Sequence, residues 1–189
     1  KKDADPRLDL MKVCVQEGWI ILELTPKAAS LAEVFRGLTQ GGVLAVGSGG
    51  KVLKYNGSTW SPVTSGTTED LYGVWGSTSD NVYAVGGSGT ILNYDGAKWT
   101  PVTTDVESDL YGVWGSAAND VWAVGVNGTI LHFDGSDWSA MISGAGSNHL
   151  RAIRGGSASD VFAVGDGGAV LHYRETSAML PAIASISPA

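Results

Sequence analysis

The chain has 189 residues and is acidic, with a formal net charge of -7 at pH 7. This length fits one domain, or one domain with a small appendage. Only 12 residues are Lys or Arg, which argues against non-specific binding to DNA or RNA, because that binding needs clustered cations that release counterions. No apolar stretch reaches the roughly 18–20 residues that a membrane span requires, and Cys14 stands alone, so no internal disulfide is expected.

Residues 1–40 form a segment of their own. No apolar core follows the first lysines, so no signal peptide is expected in this chain. Trp19–Leu24 is predicted to form a strand, and Ser30–Thr39 a helix, because Ala, Leu and Glu favour helix and Ser30 can cap it. An alternative makes Leu31 to Gly37 the first strand of a repeat, since Leu31 precedes Leu71 of the next copy by 40 residues.

The sequence from Asp5 to Gln40 resembles the last residues of the ATPase subunit of an ABC transporter. In that family a short strand precedes a helix with the pattern Ser-Leu-x-x-Val-Phe-x-x-Leu-Thr, which is found here from Ser30 to Thr39. The chain contains no Gly-x-x-x-x-Gly-Lys-Ser/Thr loop, so the resemblance implies no ATP hydrolysis. It implies instead a fragment of one family joined to repeats of another.

Residues 41–175 contain an internal repeat of about forty residues. Complete copies begin at Leu71 and Leu110, and two incomplete copies run from Val43 to Val63 and from Leu150 to Glu175. Each copy reads as four short strands, in the first full copy LYGVWG, VYAVG, TILNY and KWTPV. The second strand is apolar on both faces, as expected for a blade covered by neighbours on both sides. The predicted fold is all-β, a β-propeller of about four antiparallel four-stranded blades with a short α/β N-terminal segment.

Turn residues recur at fixed places in the repeat. Four dipeptides are predicted to form type I′ turns, which accept positive φ at both positions. They are Asn56-Gly57, Asp95-Gly96, Asn127-Gly128 and Asp134-Gly135.

The repeat resembles propeller repeats of secreted and surface proteins of bacteria, related to neuraminidase-like and kelch-like repeats. The pattern that carries the resemblance is VWGSxxxDVxAVGxxGTILHYDGxxW, over Val43 to Glu175. It implies an extracellular or cell-surface location, although the chain itself leaves the location unknown. The Asp-box order Ser-x-Asp-x-Gly-x-Thr-Trp is absent, because Gly96 directly follows Asp95. Propellers serve binding, scaffolding and catalysis alike, so the fold does not fix the function.

Closure of the ring is the open question of the repeat. The last copy stops at Glu175 after three strands. Glu17 to Pro26 has a Trp followed by apolar residues, as the fourth strands have, and is predicted to complete the last blade. Alternatively, two chains form one larger ring as a homo-oligomer, or the chain belongs to a longer array. Residues 176–189 are predicted to be a linker, whose last ten residues resemble the opening strand of an immunoglobulin-like TIG domain.

The His, Asp and Glu residues of the sequence are not spaced as they are in known catalytic or metal-binding motifs. His132 and His172 share a position that also accepts Lys and Asn, so both are predicted to be exposed. The recurring acids of the corner before strand two are explained by Asx turns; they are Asp80, Asp120 and Asp160. No catalytic residue, metal site or cofactor is predicted.

Candidate ligand-binding residues are aromatic or cationic. Trp75 and Trp114 lie in strand one, and Trp122 in strand two; most such rings pack between blades, but flat faces also suit sugars and peptides. The last copy has Arg151 and Arg154 where the other copies have Tyr and Trp. These two cations indicate an edge copy that faces a partner segment, or a site for an anion or carboxylate.

The leading hypothesis for function is a non-enzymatic propeller module that binds or scaffolds, with a protein or glycan as ligand. A lectin-like propeller with one aromatic pocket per blade is the second hypothesis. An ABC ATPase tail fused to propeller repeats is the third. Neither nucleic acid nor a membrane is an expected partner.

Overall fold

The computed structural model describes residues 43–56, 58–174 and 182–185, the last four by their backbone only. These residues form antiparallel strands in four separate sheets. The strands are β1 (Val43–Gly47), β2 (Lys51–Tyr55), β3 (Trp60–Val63), β4 (Leu71–Thr78), β5 (Asn81–Gly86), β6 (Ile91–Tyr94), β7 (Trp99–Val102), β8 (Leu110–Ala117), β9 (Asp120–Gly125), β10 (Ile130–Phe133), β11 (Trp138–Met141), β12 (Leu150–Ser157), β13 (Asp160–Gly165), β14 (Val170–Arg174) and β15 (Ala182–Ser185). Short 3-10 turns join β1 to β2, β5 to β6, β9 to β10 and β13 to β14: Ser48–Gly50, Gly87–Gly89, Val126–Gly128 and Asp166–Gly168.

Each sheet is one blade of a β-propeller, and the predicted fold class is confirmed. Blade 1 contains β1–β3, blade 2 β4–β7, blade 3 β8–β11 and blade 4 β12–β15, each with its strands paired in chain order. The first strands β4, β8 and β12 lie against one another, so they form the inner wall. The predicted N-terminal strand and helix, within residues 1–40, lie outside the described residues.

Aromatic rings of one blade pack on the blade that follows it. We call the side of a blade that contacts the next blade its forward face, and the opposite side its backward face. Tyr83 of blade 2 contacts Phe133 and Trp138 of blade 3, at centroid distances of 5.9 and 5.6 Å. Trp122 of blade 3 contacts Tyr173 of blade 4 at 4.7 Å. Burial of each large apolar side chain contributes about 1.5–3 kcal/mol, so these contacts hold the blades together.

Glycines in strand one allow this approach. The Trp75 ring lies where a Cβ on Gly115 of the next blade would stand, with its Cη2 only 2.6 Å away. Trp114 has the same relation to Gly155, at 2.5 Å. The large ring of one blade and the small residue of the next therefore form a matched pair that recurs from blade 2 to blade 4.

The apolar second strands are buried on both faces only where blades flank them. All residues of β5 and β9 after the first are buried. In β13 burial alternates, and Phe162 and Val164 are 37% and 43% exposed. The sequence alone did not distinguish the last copy, because its apolar residues match those of the internal blades.

Of the four predicted type I′ turns, Asn56-Gly57 includes a residue outside the described ones, and among the other three only Asn127-Gly128 has the required backbone. Asn127 and Gly128 both have positive φ, at 53° and 69°. The prediction is wrong for Asp95-Gly96 and Asp134-Gly135, where φ is positive at the glycine only. There the Asp carboxylate accepts two backbone N–H groups and forms an Asx turn.

The last blade is completed by the C-terminal end of the chain. Ala182–Ser185 pairs antiparallel with β14, so that Tyr173 lies opposite Ile183. The prediction that Glu17 to Pro26 occupies this edge is therefore wrong. β15 lies within residues 176–189, which were predicted to be a linker. A strand edge with free N–H and C=O groups favours pairing with any nearby extended segment.

We expect the substitution Gly155→Ala to destabilise the protein while Gly156→Ala has little effect. A Cβ at Gly155 would lie 2.5 Å from the Trp114 ring and 2.7 Å from the carbonyl oxygen of Asp160, whereas at Gly156 it would meet only an Asp160 carboxylate oxygen at 3.4 Å. Overpacking of this kind costs about 1–3 kcal/mol. Thermal unfolding followed by circular dichroism measures the difference, and equal melting temperatures for the two variants would contradict the ring-on-glycine packing.

The Asx turn of Asp134 predicts a pH dependence. Backbone N–H groups of Asp137 and Ser136 stabilise its carboxylate and hold its pKa below the ordinary value of 3.8. Because the folded pKa is lower than the unfolded one, the turn contributes stability above the unfolded pKa and loses it as pH falls through the folded pKa. Carbon-detected NMR titration of the carboxyl should give the lowered pKa.

The chain itself offers the control for this titration. In blade 1 the uncharged Asn56 accepts the N–H groups of Ser58 and Thr59, both at 2.9 Å. Asp134→Asn should therefore keep the turn and remove its acid dependence, while Asp134→Ala should lower the melting temperature at pH 7. An Asn variant that is as destabilised as the Ala variant would show that the negative charge, rather than the turn geometry, matters.

Candidate functional site

Antiparallel pairing brings the start of each inner strand beside the 3-10 turn of the same blade. Leu71 lies opposite Gly86, Leu110 opposite Gly125 and Leu150 opposite Gly165. We call this end of the propeller the turn end. The residue that follows each leucine therefore lies at the inner wall near this end, in three successive blades.

These residues form a continuous row that we call the Tyr–Arg strip: Tyr72, Tyr111 and Arg151. The two tyrosine rings are half-buried and lie 5.5 Å apart at an interplanar angle of 54°. The Arg151 guanidinium carbon lies 4.7 Å from the centroid of the Tyr111 ring. A cation in this position over an aromatic face contributes about 0.5–1 kcal/mol at an exposed site. The row thus presents two rings and one cation on rigid inner strands.

Arg151 is paired with a carboxylate of its own blade. Its Nε donates to Asp166 Oδ1 at 3.0 Å and its Nη2 to Asp166 Oδ2 at 2.6 Å. This bidentate pair lowers the pKa of the Asp166 carboxyl. Asp166 therefore occupies the guanidinium group that the sequence-based hypothesis assigned to an anion. A carboxylate ligand would have to displace Asp166 to bind Arg151.

Acidic side chains surround the strip. Burial raises the pKa of the Tyr72 hydroxyl, and the negative charges of Asp109 and Asp70 raise it further. Asp109 accepts the N–H of Ser88 at 3.0 Å, and Asp70 accepts the N–H of Gly49 at 2.7 Å. Each of these bonds joins the 3-10 turn of one blade to the loop before the inner strand of the next. The acids thus have fixed positions, and they give the turn end a negative rim.

The predicted tryptophan ligands are packing residues. Trp75 is 3% exposed, Trp114 6% and Trp122 1%. Trp75 and Trp114 lie over the glycines of the next blade, and Trp122 stacks on His132 at 4.0 Å. Rings buried to this extent offer no face to a ligand, so the packing interpretation of these three residues applies.

Arg154 and Arg151 do not share a site. Arg151 reaches back to Tyr111 of blade 3, whereas Arg154 occupies the position of Trp114, whose ring lies on the next blade. Arg154 is directly opposite the exposed Phe162 in the β12–β13 register. It therefore lies on the forward face of blade 4, away from the turn-end strip.

The histidine prediction is wrong, because both predicted surface histidines bond to a corner aspartate. His172 is 6% exposed, and its Nε2 lies 2.6 Å from Asp160 Oδ1. The half-buried His132 contacts Asp120 at the same distance. The signal in the sequence was the twelve-residue spacing between Asp and His in both copies. Alignment by the inner leucines also shows that Asn81, not Asp80, takes this place in blade 2.

The Asp120 carboxylate holds three strands together. It accepts hydrogen bonds from Ser116 of β8 and from the indole Nε1 of Trp122 in β9, and it contacts His132 in β10. The serine donates to the aspartate, so this arrangement is not that of a nucleophile activated by a histidine. Among residues 43–56 and 58–174, no group of three or more His, Cys, Asp or Glu side chains is placed to hold a metal ion. No described helix has the length and apolar character to cross a membrane.

Comparisons with known proteins find similarity in solved structures. No protein-family model matches the chain, and no curated protein does. The structure of YCF48 bound to D1 peptide superposes with a TM-score of 0.60 at 14% identity, over 84% of this chain and 55% of that chain. YCF48 from Cyanidioschyzon merolae gives a TM-score of 0.51 at 15% identity, over 88% of this chain and 74% of that chain. The likeness shows that the fold is a β-propeller, and the chain spans little more than half of the peptide-bound protein.

We expect the Asp160–His172 contact to stabilise the fold. A hydrogen bond to a charged group that is partly shielded from water contributes about 1 kcal/mol or more. A double-mutant cycle of Asp160→Ala and His172→Ala, measured by urea unfolding at pH 7, should give a coupling energy of about 1 kcal/mol. The pair Asp160→Ala and His132→Ala, which share no contact, is the control and should be additive within about 0.5 kcal/mol. Additivity of the first pair would contradict a stabilising contact.

Proposed function

We propose that this chain is a non-catalytic β-propeller that binds a protein partner through a peptide segment laid across its turn end. The observation that carries the proposal is the Tyr–Arg strip, in which Tyr72, Tyr111 and Arg151 follow one another at contact distance on three inner strands. The inner strands of blades 2 and 3 are held by blades on both sides, and that of blade 4 packs on blade 3, so the strip is a preorganised surface. Preorganisation lowers the entropy cost of binding.

The chemistry of the strip suits a peptide better than a small molecule. Tyrosine gives a large contact area with a polar end, and it is enriched at the centres of protein interfaces. The acidic rim of Asp70 and Asp109 favours a segment with Lys or Arg residues, and the overall charge of -7 would steer such a segment towards the protein. Arg151 and Asp166 give the strip one polar pair that can exchange partners with a peptide carboxylate.

The likeness to YCF48 bound to D1 peptide supports a peptide as the ligand class. That protein is a β-propeller, and its partner in the solved structure is a peptide. At 14% identity the likeness does not transfer a partner to this chain. The partner class therefore rests on the strip itself.

The other hypotheses receive less support. A lectin-like propeller needs an exposed ring in each blade, but the strand-one rings Trp75 and Trp114 are buried. Catalysis by a serine nucleophile needs a base beside the serine, whereas Ser116 donates its hydrogen bond to the Asp120 carboxylate rather than to a histidine. The fusion to an ABC ATPase tail concerns residues outside the described part of the chain. An extracellular or cell-surface location stays a prediction from the repeat resemblance.

The test is selection of peptides from a displayed random library on the whole chain. We expect enriched peptides to combine Lys or Arg with an apolar or aromatic residue. Their affinity, measured by fluorescence anisotropy, should fall at least about tenfold in the variant Tyr72→Ala/Tyr111→Ala, because loss of an aromatic anchor costs about 1.4 kcal/mol or more. It should also fall with added salt, since the rim charges are exposed.

The control variant is Trp60→Ala, which removes a ring that is 43% exposed on the outer part of blade 1. It should leave peptide affinity unchanged, and circular dichroism should show that all variants keep the fold. Peptides that bind the double tyrosine variant as tightly as the wild type would reject the strip. Binding to a glycan array without any peptide enrichment would favour the lectin alternative.

A further inference from the structure

The two ends of the blade series expose apolar residues that are buried in every internal blade. On the forward face of blade 4, Phe162 and Val164 are 37% and 43% exposed, while Trp122 and Val124 at the same positions of blade 3 are 1% and 0% exposed. On the backward face of blade 1, Leu53 is 37% exposed. The matching leucines of the later blades are each 2% exposed: Leu92, Leu131 and Leu171.

These two faces are the complementary halves of one interface. Inside the chain, Leu44 and Val52 of blade 1 pack with Leu92 of blade 2, and Tyr83 of blade 2 packs with Phe133 and Trp138 of blade 3. Phe162 stands at the forward position of Leu44 and Tyr83. The backward positions of Leu92 and Phe133 correspond to Leu53 and Tyr55 in blade 1. The same contact is thus built several times within the chain, and one half of it is presented at each end.

The structural match to YCF48 indicates a ring larger than one chain provides. The matched part of this chain covers 55% of the chain of the β-propeller YCF48 in its complex with D1 peptide. Four blades that superpose on about half of such a ring leave their first and last blades apart, in agreement with the exposure of Leu53 and Phe162.

We propose that two copies of this chain join head to tail, with the forward face of blade 4 of each copy on the backward face of blade 1 of the other. Two copies place eight blades in the ring, which lies within the four to eight that closed propellers typically have. The contact is heterologous, because different faces meet, yet two copies satisfy both faces and close the assembly. The interface continues the internal packing and needs no new type of contact.

The wild-type protein should have twice the 19.5 kDa mass of one chain in solution. Light scattering coupled to size exclusion measures this mass at micromolar concentration. A monomer would overturn the proposal, as expected if the faces await further blades of a longer chain. A mass that keeps growing with concentration would overturn the closed ring, because it indicates an open array.

Two substitutions separate a head-to-tail ring from other dimers. Phe162→Glu on the forward face and Leu53→Glu on the backward face should each give a monomer, since each change disrupts both contacts of the ring. Both residues are exposed in the single chain, so the fold should be kept, as circular dichroism checks. A mixture of the two variants should regain a two-chain mass, because one pair of wild-type faces remains.

The single variants and their mixture together distinguish the head-to-tail ring from a symmetric dimer. If the dimer were symmetric through the forward face alone, Leu53→Glu would stay dimeric, which would overturn the head-to-tail contact. If the mixture stayed monomeric although each variant is folded, the proposed pairing of the two faces would be wrong. The variant Tyr72→Ala/Tyr111→Ala should keep the two-chain mass, so loss of peptide binding and loss of the ring are separate outcomes.

Discussion

The structure depends on the packing of a large side chain of one blade against the blade that follows it. Trp75 over Gly115 and Trp114 over Gly155 fix the distance between the inner strands. Tyr83 and Trp122 fill the middle of the same interfaces. A single four-stranded blade cannot bury its two apolar faces alone, so each blade is stable only between neighbours. Every other feature of the protein follows from this dependence.

The candidate site is one consequence of it. Because neighbouring inner strands are held at ring-on-glycine distance, the residues at their starts come into contact, and Tyr72, Tyr111 and Arg151 form a row. At the opposite end of the blades, Asp120 and Asp160 bond to histidines and tie adjacent strands together. The histidines are therefore structural, and the recognition surface that we propose lies at the turn end, where acids and tyrosines face solvent in part.

The exposed end faces are the second consequence. An apolar strand that is covered on both sides in blades 2 and 3 has the same composition in blade 4, where one side is open. The open side carries Phe162 and Val164, and its counterpart at the other end carries Leu53. The stability of each interface comes from burial of such residues. Covering the exposed apolar residues at the two ends of the blade series would therefore be favourable. The proposed ring closure and the proposed partner binding thus use different surfaces of the protein.

The sequence by itself determined the blade. The spacing of Leu71, Leu110 and Leu150 predicted the four-stranded units and their order, because hydrophobic period and turn residues act within forty residues of chain. It did not determine which side chains meet across blades. The sequence favoured packing for Trp75 and left a ligand platform as the alternative, and it favoured an edge copy for Arg151 and Arg154 and left one anion site as the alternative. Only the tertiary structure decided these points, since they depend on which neighbour covers a face.

The same limit applies to the ends of the chain. The last copy ended after three strands in the sequence, and the edge was assigned to Glu17 to Pro26, whereas Ala182–Ser185 takes it. Strand pairing is made by backbone groups that every residue carries, so the sequence pattern states that an edge needs a partner but not which segment supplies it. Local periodicity therefore fixed the repeating unit, and contacts between distant segments fixed the site, the buried histidines and the completion of the last blade.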